Sequence, residues 1–405
     1  MQICIHRGQN QIGGSIIEIK TDSTRIFLDV GMELDESEHI DVPQIEGLFC
    51  GEKNCDAVFI SHYHGDHIGL LNHILPNTPL FMGESAYKIF SASADYRNLE
   101  VKSSPIFIYH KERVTVGDIV LTPYICDHSA YDSYMFLIEV DGKTVLYTGD
   151  FRANGRLDYS ELLEEIPEVD AVIIEGTSLS REEDRANIRE EELEDIAVSY
   201  LSNYSGPVFV MMSAMNIDRL ETMCNVAKRT ERIMLEDIYT ADIASGSGKK
   251  EIIPSKENRI YAFMTGGDKQ YARLQNYKKA KIGKETIAKK KFVMCIRQSM
   301  KNYLNKLNEI MSFQDGVLFY GMWKGYLEQE ELKKFIRTLE EKGIKMHVLH
   351  TSGHADTQTI DKLIQDIKPK TIIPVHTENA AWYSRYESQS KVILFDNVLI
   401  LGSSC

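Results

Sequence analysis

The chain of 405 residues has no cysteine framework. Its seven cysteines (Cys4, Cys50, Cys55, Cys126, Cys224, Cys295 and Cys405) are scattered, odd in number and contain no Cys-x-x-Cys pair. Neither a disulfide-stapled scaffold nor a zinc site built from paired cysteines is indicated. No run of about eighteen apolar residues is present, so no transmembrane helix and no membrane partner are expected. The first residues enter a strand pattern rather than a signal peptide, and the expected location is the reducing cytoplasm. Low-complexity tracts and internal repeats are missing too. With 43% hydrophobic and 26% charged residues, the composition is that of a globular protein long enough for two or more domains. Positive charge is in short supply, and the net charge of −14 argues against a protein that coats nucleic acid over its whole surface. A local basic groove remains compatible with that balance.

What the chain does contain is a dense ligand motif, Ser61-His62-Tyr63-His64-Gly65-Asp66-His67-Ile68-Gly69. It follows the apolar run 56–60, which reads as a buried strand, and precedes 70–75, which reads as a helix stopped by Pro76. Three imidazoles and a carboxylate on one strand-to-helix turn suit zinc or a similar divalent ion. A polar loop merely rich in histidine accounts poorly for that density. His-x-His-x-Asp-His after a strand resembles the signature of the metallo-β-lactamase superfamily.

Strands are expected at 2–6, 15–20 and 25–30, the last closing on Asp29. The resemblance implies that Asp29 supports the metals without binding them, although a plain strand-end turn reads equally well. A helix is expected over 84–97 and strands over 114–126, around the turn at Gly117-Asp118, leading to His128. A hairpin over 134–148 with the tight turn Asp141-Gly142 ends at Asp150. His128 and Asp150 match the next ligand motifs of the superfamily in order. Another buried strand, 170–174, ends in Glu175-Gly176-Thr177-Ser178. After a charged stretch, 180–187, come an acidic helix (188–204), a strand (207–212) and a helix (217–229). This alternation points to a separate parallel-sheet unit. Further strands are read at 259–264, 291–296 and 316–320, with a helix over 328–342. The strand 345–350, the helix 357–367 and the strand 371–375 then present His354 and His376.

Ser352-Gly353-His354-Ala355, followed by Pro374-Val375-His376-Thr377-Glu378, resembles the closing motifs of the β-CASP branch, with Glu175 at its first acidic motif. That branch contains RNase J-type and cleavage-and-polyadenylation-type nucleases. The resemblance implies an α/β fold, a metallo-β-lactamase αββα sandwich with an inserted β-CASP cap. The core spans 1–178 and 345–405, with 179–344 as the cap. It further implies two divalent ions, Zn²⁺ first and Mn²⁺ as the alternative. One ion takes His62, His64 and His128; the other takes Asp66, His67 and His376, with Asp150 bridging. Asp66, His354 and Glu175 are assigned to catalysis, His354 as general acid with Glu175 as its carboxylate partner.

Ser352 and Thr177 read as phosphate contacts or as turn caps. His6, His39, His73, His110 and His347 read as packed or surface residues, and His350 as a support for the site at most. The departures from the pattern are Thr377 in place of Gly, Glu-Gly-Thr-Ser in place of an acidic-Ser-Thr motif, and 319–325 in place of a Gly-Ser-rich segment. The C-terminal domain of RNase J is also expected to be missing. Between Lys269 and Lys306 stand twelve Lys/Arg and one acid, Glu285, a local charge of +11 that leaves −25 elsewhere. Such a run is usually a solvated basic face; with Tyr271 and Tyr277 interleaved on the cap of a nuclease, a phosphate-tracking surface is the favoured reading.

The leading expectation is a ribonuclease acting on single-stranded RNA. DNA is less favoured, because His376 goes with the RNA-processing members. A small-molecule metallo-hydrolase and a catalytically silent RNA-binding subunit are the alternatives. A homodimer is the oligomer that the resemblance suggests.

Overall fold

The computed structural model describes residues 1–34, 40–180, 186–394 and 398–401. His39 and most of the charged stretch 180–187 lie outside the described residues. Among the described residues the longer strands form three sheets. In the first, the order is Val398–Ile400, Gln2–Arg7, Ile16–Lys20, Arg25–Leu28, Ala57–Phe59, Leu80–Gly83 and Ile106–Ile108. In the second it is Lys391–Val392, Thr371–Pro374, Ala171–Ile174, Lys143–Tyr147, Ser133–Val140, Ile119–Cys126 and Val114–Val116.

These two sheets pack face to face because their strands alternate. Ile3, Ile5, Ile17, Ile19, Ile26 and Leu28 of the first meet Phe136, Ile138, Val145, Ala171 and Ile173 of the second in one buried cluster. The other face of the second sheet is covered by helices Tyr159–Glu165 and Thr357–Ile367, through Leu162, Leu163, Ile360, Leu363 and Ile367. Helix Glu84–Tyr96 covers the first sheet with Ala86 and Ile89. The αββα sandwich is therefore present.

The third sheet is parallel throughout, in the order Ile260–Phe263, Ile233–Asp237, Phe292–Cys295, Val208–Met211, Gly316–Tyr320, Ile344–Val348. Strand Ile344–Val348 pairs with Gly316–Tyr320, so the expected boundary at 344/345 falls inside an edge strand of this third sheet. Helix Ile238–Ser247 seats the inserted unit on helix Glu84–Tyr96, with Ile243 and Ala244 against Ala86 and Ile89.

Two local readings are corrected. The stretch 70–75 is not a regular helix; only Leu71–His73 forms a 3-10 turn. The α-helical turn lies earlier, at Gly65–Ile68, and carries the ligand motif itself. Here Gly69 N–H donates to Gly65 O at 2.7 Å, and Leu70 N–H is taken by Val30 O at 2.9 Å, which ends the helix. Strand Ile233–Asp237 and helix Ile238–Ser247 also carry no expectation from sequence. The strand closes on two buried acids: Glu236, whose carboxyl is pushed well up by burial and then by Asp237, and Asp237, which caps the next helix.

A buried ion network joins the inserted unit to the sandwich. Arg152 donates through Nε to Asp127 (2.6 Å) and through Nη2 to Asp218 (2.9 Å), with Glu190 at 3.5 Å. Glu190 also accepts from Arg219 Nε (2.9 Å) and Nη2 (3.1 Å) and from Thr222 Oγ1 (3.0 Å). Removing Glu190 leaves the buried Arg219 guanidinium without its carboxylate, while Arg152 keeps Asp127 and Asp218. Glu190→Leu is therefore expected to cost about 3–5 kcal/mol in a urea unfolding measurement; a change under about 1 kcal/mol would show the network to be slack.

Candidate metal centre and acid pair

Six strands of the sandwich run in the same sense and end at one edge, and the residues just beyond them are the candidate ligands. Asp29 follows Arg25–Leu28, and the motif 61–67 follows Ala57–Phe59. His128 follows Ile119–Cys126, Asp150 follows Lys143–Tyr147, Glu175 follows Ala171–Ile174 and His376 follows Thr371–Pro374. Residues more than three hundred positions apart thereby meet.

The ligand atoms of His62, His64 and His128 lie within 4.8 Å of one another, as do those of Asp66, His67, Asp150 and His376. Asp150 stands between the two groups. Its Oδ2 is 3.3 Å from His67 Nε2, 3.8 Å from His62 Nε2 and 4.0 Å from His128 Nε2, and its Oδ1 is 3.6 Å from His376 Nδ1. His64 Nδ1 faces His128 Nε2 at 3.1 Å, and His376 Nε2 faces Asp66 Oδ2 at 3.1 Å.

The outward nitrogen of most of these rings is held by the protein, which fixes the ring's orientation. His62 Nδ1 lies 3.0 Å from Ser61 Oγ, His67 Nδ1 2.8 Å from Asp29 Oδ2, His128 Nδ1 2.5 Å from Gly353 O and His376 Nδ1 2.7 Å from Thr177 Oγ1. Asp29 is fixed in turn by the backbone and hydroxyl of Ser61 (2.7 Å each) and by Tyr147 OH (2.6 Å). Both Asp29 and His376 hold a left-handed backbone, with φ of 61° and 50°. For His376 this is a strained choice that the surrounding contacts must impose.

Electrostatics divides the imidazoles. Burial, and then mutual repulsion, holds His62 and His128 well below the ordinary histidine range and His64 down to about 4. Burial thus favours in all three the neutral form, which binds a metal. His67 goes the other way: against burial, Asp150 and Asp29 push it well up. The Asp150 carboxyl is held well down by His376, His67 and His354 in spite of its burial.

Four fully enclosed atoms, His62 Nε2, His67 Nε2 and both Asp150 oxygens, have no hydrogen-bond partner. Buried polar groups are seldom left so. Orphaned nitrogens and carboxylate oxygens pointing at one another are the donor set of a divalent cation, and this His/Asp cluster can bind one. Asp29→Ala leaves every ligand in place and removes the support of His67. It is expected to weaken metal affinity by about 10–100-fold in a chelator competition; unchanged affinity would show Asp29 to be a turn residue only.

Beside the cluster, His354 Nδ1 lies 3.2 and 3.3 Å from the two Glu175 oxygens and 3.5 Å from Asp150 Oδ2. Glu175 is buried and also accepts from Phe151 N (2.9 Å) and Thr177 N (3.2 Å). Ser352 Oγ accepts from His354 N at 3.1 Å, a turn-capping role. Arg152 and Asn154 donate to Ser352 O, and Asn187 donates to His354 O, so the loop of His354 is tied from three sides. Tyr147, Arg152, Asn154 and Asn187 carry no site assignment from sequence; each stands in an ordinary polar context and gives no local signal.

The remaining histidines lie elsewhere. His73 is exposed, His110 pairs with Glu165 at 2.9 Å, His347 meets Tyr200 OH at 2.7 Å and His350 meets Gly321 O at 3.2 Å. Within the basic run, Arg273 pairs with Asp242 (2.7 Å) and Arg297 with Asp237 (2.8 Å), whereas Lys278, Lys279, Lys289, Lys290, Lys291 and Lys301 are exposed.

Two family models match the chain: a beta-lactamase superfamily domain over residues 43–228 and a Zn-dependent metallo-hydrolase RNA specificity domain over 343–386. An RNase J-like protein of Methanocaldococcus jannaschii is 30% identical over 183 residues, covering 42% of this chain and 41% of that protein. Ribonuclease J of Sinorhizobium meliloti is 21% identical, covering 84% and 60%. Ribonuclease J 1 of Streptococcus pyogenes is 20% identical, covering 92% and 67%. The chain thus spans between 41% and 67% of the length of these relatives. A crystal structure of a protein of unknown function from Enterococcus faecalis V583 superposes with a TM-score of 0.81, covering 99% of each chain at 20% identity. That likeness shows a shared fold. Both family models fall on the sandwich and its motifs, so the chain carries a beta-lactamase superfamily domain and is similar to the RNase J-like proteins.

Proposed function

We propose that the protein is a metal-dependent ribonuclease, with residues 1–178 and those after 348 as its hydrolytic core and the segment between as a cap over the RNA. The observation that carries this reading is the juxtaposition of two ligand groups, joined by Asp150, with the buried Glu175–His354 pair. His62, His64 and His128 hold one ion, Asp66, His67 and His376 the other, and zinc suits the mixture of imidazole and carboxylate. Once bound, the ions lower the pKa of a water and stabilise the charge developing on a phosphoryl group.

The chain's own residues do the rest. Glu175 accepts a hydrogen bond from His354 Nδ1–H, which orients the protonated ring so that Nε2–H can deliver its proton to the departing oxygen and leave a neutral imidazole. The ties from Arg152, Asn154 and Asn187 hold that ring's loop in place. A groove of about 720 Å³ beside this loop is lined by both tryptophans of the chain, Trp323 and Trp382, together with Ile188, Lys324, His350 and Ser352. Aromatic faces next to a phosphate-cutting centre suit unpaired bases, and the exposed lysines of the cap suit the backbone that carries them.

The test gives metal-reloaded protein single-stranded RNA and the matched DNA, each labelled at either end. RNA cleavage abolished by chelator supports the reading, and the product ladder separates exonuclease from endonuclease action. Cleavage of neither polymer by fully metallated protein overturns it in favour of a small-molecule hydrolase, and tight RNA binding without cleavage overturns it in favour of a silent binding subunit.

A further inference from the structure

The first sheet bears a second set of metal-type donors on the face turned away from the second sheet; only the order of filling and the cleavage control rest on the nuclease reading. Cys4 and His6 are two residues apart on strand Gln2–Arg7 and so share a face, while Ile3 and Ile5 point inward. Glu18 stands directly opposite Cys4 in the antiparallel register. The sulfur, an imidazole nitrogen and a carboxylate oxygen of these three residues lie within 4.8 Å of one another. His6 Nε2 meets Glu18 Oε2 at 2.6 Å.

The carboxylate is buried and clamped by Arg25, whose Nε donates to Oε1 (2.9 Å) and Nη2 to Oε2 (3.1 Å). Phe27 lies against the His6 ring, with centroids 5.8 Å apart. Backbone register and these contacts therefore hold the three donors convergent without a metal, which lowers the ordering cost of binding one.

We propose that Cys4, His6 and Glu18 form a separate surface site for a thiophilic divalent cation of the zinc type, with solvent completing its coordination. Sulfur, nitrogen and oxygen donors on a rigid strand pair match the preferences of that ion. Binding releases the Cys4 thiol proton and the proton shared by His6 and Glu18, so one M²⁺ replaces two protons and the charge balances. Affinity therefore rises with pH. The neighbouring charges of Arg25 and of Lys20, 3.7 Å from Glu18 Oε1, oppose the cation, and this site fills after the His/Asp cluster.

Cobalt(II) is the probe, because the His/Asp cluster contains no sulfur and cannot give a thiolate-to-cobalt charge-transfer band. Titration of the stripped full-length chain is expected to develop that band only after about two equivalents, in line with the two-ion cluster. The band is lost in Cys4→Ser and weakened in His6→Gln, while RNA cleavage by both variants is unchanged. Elemental analysis of zinc-saturated protein gives the independent count, with Cys4→Ser holding one ion fewer per chain than the parent. Absence of the band at saturating cobalt, its persistence in Cys4→Ser, or equal zinc content in the two proteins overturns the proposal.

Discussion

Replacing His354 by alanine is expected to slow RNA cleavage by about 10²–10⁴-fold, the usual contribution of a positioned general acid. Metal content should change little, because His354 is absent from the two main ligand groups, although it lies beside their members Asp150 and His128. The geometry allows a sharper statement. Glu175 is fixed by two backbone amides before it meets His354, so the pair is prearranged and needs no movement to act. Glu175→Gln keeps the size and an acceptor oxygen but removes the charge that favours a protonated imidazole. Its cleavage rate should therefore fall while metal content stays the same. Single-turnover rates across pH, measured beside metal analysis, distinguish this from a structural defect. A His354→Ala protein that cleaves RNA at the parental rate would show that the proton comes from elsewhere.

The larger effect is expected at Asp150. Its carboxylate faces both groups of imidazoles and His354, and neither oxygen has a hydrogen-bond partner. Asp150→Ala removes the only anion between His62, His67 and His128 and should reduce bound metal to one ion or none. If the ions supply several kcal/mol of charge stabilisation, the loss of rate is on the order of 10³-fold or more. The same change should not unfold the sandwich. Removing a buried carboxylate also removes its desolvation cost; His62 and His128 beside it are held toward the neutral form, and His67 keeps its second carboxylate, Asp29. Calorimetric metal titration with circular dichroism separates the two effects. Full metal content in Asp150→Ala would contradict the bridging role.

Much of this was legible in the chain because ligand chemistry is concentrated there. Four donors within six residues, followed by His128, Asp150, His354 and His376 each just past an apolar run, expose a site built at strand ends. Strict alternation also marks the strand Gln2–Arg7, and the pair Asp141-Gly142 marks the hairpin. What stayed hidden depends on partners distant in sequence. Strand Ile233–Asp237 escapes notice because Glu236 and Asp237 interrupt its apolar pattern, one kept protonated by burial and the other occupied with a helix cap and Arg297. The helical turn at Gly65–Ile68 is too short to show a period, and tertiary bonds to Val30 and Ser15 define its limits. The role of Arg152 rests on Asp127, Glu190 and Asp218, which no local rule connects to it. The basic run misleads in part, since Arg273 and Arg297 are spent on internal pairs.

The most direct measurement is a metal titration of chelator-stripped protein, followed by RNA cleavage in the same samples and carried out with Cys4→Ser so that only the His/Asp cluster is counted. The expected result is cleavage of single-stranded RNA that rises as the second ion binds and disappears again with chelator. Two ions bound per chain with no cleavage of RNA would contradict it.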